Sequence, residues 1–249
     1  MKRACIIPII FAALSGSHAM VRFAEFNGGL ILAPGFGGWY DIGGVMDPEL
    51  LWDGSLLRLY YTAVDAQGVS RIALAVSTDA VEWSPYGVVL GPGSAGTFDS
   101  AGVAAPDLVV EPSGYTMHYT AMVNGWRSVG RIKSSDGLGF DRSVHPAGQV
   151  LAASMDSASF DWLGVSDPTV VRIGGYDIMM YEGHDGSKWK RLGLAYAADA
   201  DDFNRVSGTE GEGAVFGRGP HGFDDGGALE PELLLVNGEI RLFYTSLHY

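Results

Sequence analysis

The chain contains one cysteine, Cys5, and it lies within the first nineteen residues. No internal disulfide can staple the fold, and the rest of the chain has no thiol chemistry. Basic residues are scarce too: 16 Lys and Arg stand against 29 Asp and Glu, a net charge of −13. An acidic surface argues against nucleic acid and against an anionic membrane as partner, and leaves open a neutral ligand such as a carbohydrate. No run of ten or more residues has the spacing of an amphipathic helix, and no group of side chains has metal-ligand spacing, so neither a metal nor a cofactor is expected. Apolar residues and glycine are abundant. A hydrophobic content of 47% excludes disorder, and 36 glycines suit many short strands joined by tight turns.

The N-terminus reads as a secretory leader over residues 1–19. Lys2 and Arg3 precede an apolar stretch from Ala4 to Leu14, interrupted by Pro8, and Ser17-His18-Ala19 offers small residues at the two cleavage-determining positions. The stretch is too short to span a bilayer. A single all-β domain over residues 20–249 and a secreted or periplasmic location are therefore expected; a true start at Met20 would instead leave the protein cytoplasmic.

A repeat organises everything after the leader. Asp41, Asp99, Asp161 and Asp224 each precede a proline (Pro48, Pro106, Pro168, Pro231) by seven residues, and each proline precedes a tyrosine (Tyr61, Tyr119, Tyr181, Tyr244) by thirteen. Repeats of this kind signal a modular architecture. Within each copy, two alternating runs are joined by a turn, Asp53-Gly54 in the first and Asn237-Gly238 in the last, as tight hairpins require. A third run follows (Arg71–Ser77, Val129–Ser134, Leu192–Ala197), then a short apolar segment (Val88–Leu90, Val150-Leu151, Val215-Phe216). Four short antiparallel strands, A to D, recurring every 58 to 63 residues indicate a β-propeller. About four blades are encoded. Either Phe26–Pro34 supplies a strand D that closes a four-bladed ring, or the chain is part of a five-bladed scaffold, the reading favoured here.

In such a ring strand A lines the channel, and the D–A and B–C connections share one face. The residues before the four prolines (Asp47, Ala105, Asp167, Glu230) and those after the four tyrosines (Thr62, Thr120, Glu182, Thr245) should meet at that rim. Asp47, Asp167, Glu182 and Glu230 are therefore candidate catalytic carboxylates. Convergent acids repel, which raises at least one pKa and supplies a general acid. Glu182 departs from the threonine found in the other copies. Asp107, one residue past its proline, is expected to return to the same side by alternation. Trp39, Trp126, Trp162 and Trp189 could stack on sugar rings, and His184 and His221 could reach the funnel. The Asp41, Asp99, Asp161 and Asp224 set, present in every copy, is expected to be structural, bonding turn amides.

With Asp167-Pro168, Tyr181-Glu182-Gly183, Ser77-Thr78-Asp79 and Ser134-Ser135-Asp136-Gly137, the chain resembles the five-bladed β-propeller glycosidases, glycoside hydrolase families 43 and 32 and their relatives. The resemblance covers residues 24 to 249 as a repeat pattern. It implies hydrolysis of a plant- or microbe-derived oligosaccharide with inversion. Asp47 would be the base, Asp167 a second, tuning Asp, and Glu182 or Glu230 the acid. Two other readings compete: a non-catalytic propeller that binds carbohydrate or protein, and a sialidase-like hydrolase, suggested by Ser77–Trp83.

Overall fold

The computed structural model describes residues 30–198, 201–210, 212–217 and 224–248. Fourteen strands make up all the regular structure among these residues. The first blade is β1 (Gly44–Trp52), β2 (Leu57–Val64), β3 (Ser70–Ser77) and β4 (Ser84–Leu90), in spatial order 1-2-3-4 and antiparallel throughout. The second is β5 (Gly102–Glu111), β6 (Gly114–Val123), β7 (Trp126–Ser134) and β8 (Gly148–Leu151). The third is β9 (Gly164–Ile173), β10 (Tyr176–His184), β11 (Arg191–Ala197) and β12 (Asn204–Val206). The hairpin of β13 (Gly227–Val236) and β14 (Glu239–Leu247) begins a fourth. Inner strands β1, β5, β9 and β13 pack successively on one another around the axis. The fold is the propeller expected from the repeat.

Alternation along the strands builds the core between blades rather than within them. In β2, Tyr60 points towards the second blade and joins Ile72, Leu74, Val103, Met117 and Ile132. Its neighbours Leu59 and Tyr61 point the other way, into a cluster with Val45, Ala63 and Leu32. A third cluster welds the second blade to the third through Val129, Leu151, Val165, Met179 and Tyr181. Each sheet is thus apolar on both faces, which accounts for the high hydrophobic content of a chain with no helix among the described residues.

The fixed spacing has a physical origin. Each repeat tyrosine donates its hydroxyl to the repeat aspartate twenty residues before it: Tyr61 to Asp41 at 3.2 Å, Tyr119 to Asp99 at 2.9 Å, Tyr181 to Asp161 at 3.1 Å and Tyr244 to Asp224 at 3.4 Å. Burial and the adjacent carboxylate raise the pKa of all four phenols, so they remain protonated donors. Strand C leaves room for the ring. A Cβ on Gly130 would lie 2.4 Å from the Tyr119 ring and one on Gly193 2.2 Å from Tyr181, so both positions require glycine. Among the described residues, Asp41 bonds turn amides as expected, those of Gly37 and Gly38. Asp99 and Asp161 are instead held by Arg142 and Arg205, with Thr97 and Ser159.

Two expectations about strand D need correction. Residues 30–34 form no strand; Leu32 packs on the first blade. In the third blade the outer strand is split: β12 pairs with Leu194–Tyr196, the chain leaves the sheet, and Phe216 returns to pair with Leu192. Val215-Phe216 therefore sits where Val150-Leu151 does, but after an insertion. The expected leader, residues 1–19, lies outside the described residues.

Candidate functional site

Every inner strand is interrupted at its proline. Strand registers slip between Met46 and Glu49, Ala104 and Asp107, and Leu229 and Glu232, and the β9–β10 pairing slips at the corresponding point. The residue before each proline is left-handed: Asp47 at φ 49°, Ala105 at 46°, Asp167 at 50° and Glu230 at 50°. A residue preceding proline normally favours extended backbone, and a side chain with positive φ is strained. These bulges take two residues out of the alternation and re-aim one side chain per blade, a device common beside active sites.

Threonines from strand B support the bulges. The Thr62 hydroxyl accepts the Ala105 amide at 2.8 Å, and that of Thr120 accepts the Asp167 amide at 2.9 Å. The third blade has Glu182 in place of that threonine. The repeat thus gives up one seam bond where it gains a carboxylate.

Asp47, Asp167, Glu182 and Glu230 form one electrostatic cluster. Burial and then the Asp167 charge push the Asp47 carboxyl up to about 6, with Glu230 adding to the effect and Thr62 and the Ala105 amide opposing it. Asp167 is raised by burial and Glu230, against a hydrogen bond from Ser166 and the charges of Arg127 and Lys190. Glu182 is raised by burial and Asp167, against Lys190. The two glutamates differ. Glu182 is only 4% exposed and its Oε1 lies 2.8 Å from the Lys190 ammonium. Glu230 is exposed and accepts a 2.9 Å hydrogen bond from Thr245.

His184 organises Asp167. The Ser166 Oγ lies 2.5 Å from Asp167 Oδ2 and 2.6 Å from His184 Nε2. A serine has one proton, and the carboxylate must accept it, so His184 donates from Nε2. Burial, Arg127 and Lys190 lower the His184 pKa to about 4, so it is neutral at physiological pH. Expected only to reach the funnel, His184 also anchors a relay, His184 to Ser166 to Asp167, that fixes the carboxylate.

Beside the cluster lies a cavity of about 310 Å³ lined by Arg127, Leu163, His184, Asp185, Trp189 and Lys190, with Gly125, Gly183, Gly186 and Ser187. Two of the predicted sugar contacts, Trp189 and His184, are thus in its wall. Trp162 instead pins two loops together, its indole donating to the Asp185 carbonyl at 3.2 Å. Trp39 and Trp126 are exposed at the rim, 66% and 49%, and the Arg71 guanidinium covers the Trp39 ring at 5.0 Å. His221 lies outside the described residues.

Asp107 does not face the funnel mouth as alternation suggested, because the bulge at 105–106 shifts the phase. It is 6% exposed and accepts the Val170 amide of the next blade at 3.2 Å. Thr169 takes the Leu233 amide in the same way at 2.9 Å, and Glu49 takes that of Leu108. This ladder sews adjacent inner strands together; burial raises Glu49, Asp107 and Glu232, with the Asp107 and Glu232 charges adding at Glu49 and that of Glu232 at Asp107. Sequence reasoning missed Lys190, Arg127 and Ser166, since none of the three residue types recurs at its position in the other copies.

Neither a protein-family model nor a curated protein matches the sequence. In fold the chain is similar to five-bladed β-propellers of glycoside hydrolases and phosphorylases. A thermostable family-43 glycoside hydrolase superposes with a TM-score of 0.70 at 15% identity, covering 90% of this chain and 71% of the other. A β-1,2-mannobiose phosphorylase from Listeria innocua, in complex with β-1,2-mannobiose, gives 0.69 at 13% identity, over 91% and 60%. A family 117 glycoside hydrolase from Zobellia galactanivorans gives 0.56 at 18%, over 81% and 66%. At these identities the likeness is one of fold.

Proposed function

We propose that this chain is a propeller glycoside hydrolase acting on an oligosaccharide with inversion. Asp47 is the general base, Asp167 tunes and orients it, and Glu230 is the general acid. The supporting observation is the set of left-handed bulges that turn Asp47, Asp167 and Glu230 from three different blades into one cluster. A rigid sheet supplies each group, and equivalent backbone geometry aims all three.

Glu230 is preferred to Glu182 as acid. The Glu182 carboxyl, raised by burial and Asp167, is tied at 2.8 Å to the Lys190 ammonium, which opposes its protonation, whereas Glu230 is exposed and accepts a hydrogen bond from the neutral Thr245 hydroxyl. Glu182 with Lys190 then shapes the site. In the proposed step Asp47 takes a proton from water as it attacks the anomeric carbon. Glu230 protonates the departing glycosidic oxygen on the opposite side of the ring. An inverting pair has its carboxyls roughly 6.5–9.5 Å apart to admit that water.

Turnover of a panel of aryl pentosides and hexosides by the full chain tests the reading. Asp47→Asn and Glu230→Gln should each lower kcat by about 10²–10⁴-fold while sparing sugar binding. Glu182→Gln should act less severely. NMR of the first-formed anomer should show inversion. Binding of sugars without turnover by the wild type would replace the hydrolase with a carbohydrate-binding propeller.

A further inference from the structure

We infer that the cavity beside the carboxylates is an oxyanion site, with Arg127 as its principal contact. On the glycosidase reading, on which this rests, the group received is an acidic substituent of the substrate or inorganic phosphate.

The charges around the cavity are nearly all committed. Lys190 is engaged by Glu182 at 2.8 Å. The Asp185 carboxylate is met by the Arg191 guanidinium and accepts the Ser187 amide at 2.8 Å. His184 is neutral and bound to Ser166. Arg127 is the exception. Its guanidinium lines the cavity, its residue is exposed, and its side chain makes no hydrogen bond or ion pair among the described residues. Its charge acts across space on Asp167 and Glu182, but among the described residues no carboxylate closes on its guanidinium as an ion pair.

The position of Arg127 is also built. Its backbone bridges in parallel to Gly164, joining the second blade to the third. A Cβ on Gly164 would come within 3.2 Å of the Arg127 Cβ and carbonyl oxygen, and Gly164 has a φ of 155°. The arginine is thus anchored at a blade seam, with its planar fork free to pair with carboxylate or phosphate. Gly125, Gly183 and Gly186 allow close approach to the backbone, and Trp189 offers an aromatic wall for the ring carrying the charge.

Titration calorimetry of the full chain with glucuronate, inorganic phosphate and glucose tests the proposal. At least one anion should bind more tightly than glucose. Arg127→Met, which keeps the stem and removes the charge, should weaken that binding at least tenfold without moving Tm. Lys133→Met, a surface control, should change nothing. Arg127-dependent binding of glucuronate would assign the site to an acidic sugar; binding of phosphate alone would keep the oxyanion site but point to phosphate in place of water as the attacking group. Equal anion binding by wild type and Arg127→Met, or no preference for either anion over glucose, would overturn the proposal. Aryl glycoside turnover measured alongside keeps the two readings separate. Turnover without anion binding sinks only the oxyanion site, and Arg127-dependent anion binding without turnover sinks only the hydrolase.

Discussion

The Asp–Tyr pairs and the pre-proline bulges recur at the same interval, yet they behave differently. The pairs are chemically identical in all four copies, and in each the tyrosine hydroxyl is satisfied by its own aspartate. The bulges share a backbone conformation but carry Asp, Ala, Asp and Glu. Uniform chemistry marks the part of the repeat that holds the blade; uniform backbone with varied side chains marks the part available for function. The same division explains why Thr62 and Thr120 support bulges whereas Glu182, at the equivalent place, does not.

The largest effect should come from breaking a pair. Asp161 is 0% exposed and receives Tyr181, Ser159 and Arg205. Asp161→Ala leaves a buried phenol unpartnered and strips the Arg205 guanidinium of its carboxylate, leaving it the Ala152 carbonyl, and should cost about 3–5 kcal/mol, read from urea denaturation. Activity per folded molecule should be little changed. A stable but inactive Asp161→Ala would erase the distinction between holding and acting.

The opposite outcome is expected at the bulge. The Asp47 carboxyl has a native value of about 6, above that of an unfolded aspartate. Below about pH 4 both states are protonated and nothing is lost. Between there and 6 the unfolded state ionises first, so stability falls as pH rises; above that the loss is complete. Asp47→Asn should therefore stabilise the protein by on the order of 2 kcal/mol at pH 7 and by nothing at pH 4, measured as Tm against pH. A gain in stability together with a loss of turnover is the signature of a group kept for chemistry.

Much of this division was legible in the sequence. Spacing alone identified blades, hairpins and the acids at the rim, because a propeller imposes one geometry on every copy. The bulges were not legible, since a residue before proline ordinarily stays extended and nothing in Asp167-Pro168 announces a positive φ. That hidden phase shift is why Asp107 was expected in the funnel and lies in a seam. Arg127, Ser166 and Lys190 were missed for a different reason. None of the three residue types recurs at its position in the other copies, and only folding brings Arg127 and Lys190 beside Glu182 and Asp167.

A smaller effect should separate the members of the cluster. The acidic limb of kcat/KM reports ionisation of the base, here Asp47 near 6. Burial is the main cause of that value and the Asp167 charge the next. Asp167→Asn keeps an acceptor for Ser166 and removes the charge. The limb should move to lower pH by up to about one unit and not reach the value of a solvated aspartate. A limb that moves up, or does not move, would remove Asp167 from the role of tuning Asp47.

The smallest effect concerns Ala105, the bulge without an acid. Its φ of 46° is costly for a residue with a Cβ, by roughly 1–2 kcal/mol. Glycine removes that strain but adds freedom to the unfolded chain, worth about 0.4–1 kcal/mol in the other direction. The Ala105 amide still reaches Thr62 at 2.8 Å in either case. Ala105→Gly should therefore raise stability by no more than about 1 kcal/mol, with turnover unchanged, by chemical denaturation and aryl glycoside assay. The sign matters more than the size. A gain means that the second blade keeps the strained bulge with no carboxylate to aim, so the conformation belongs to the scaffold and the acids of the other three blades were placed on it. A loss of more than about 1 kcal/mol would mean that the Ala105 methyl packs well enough to hold the bulge itself, and the common backbone would then have a different cause in each blade.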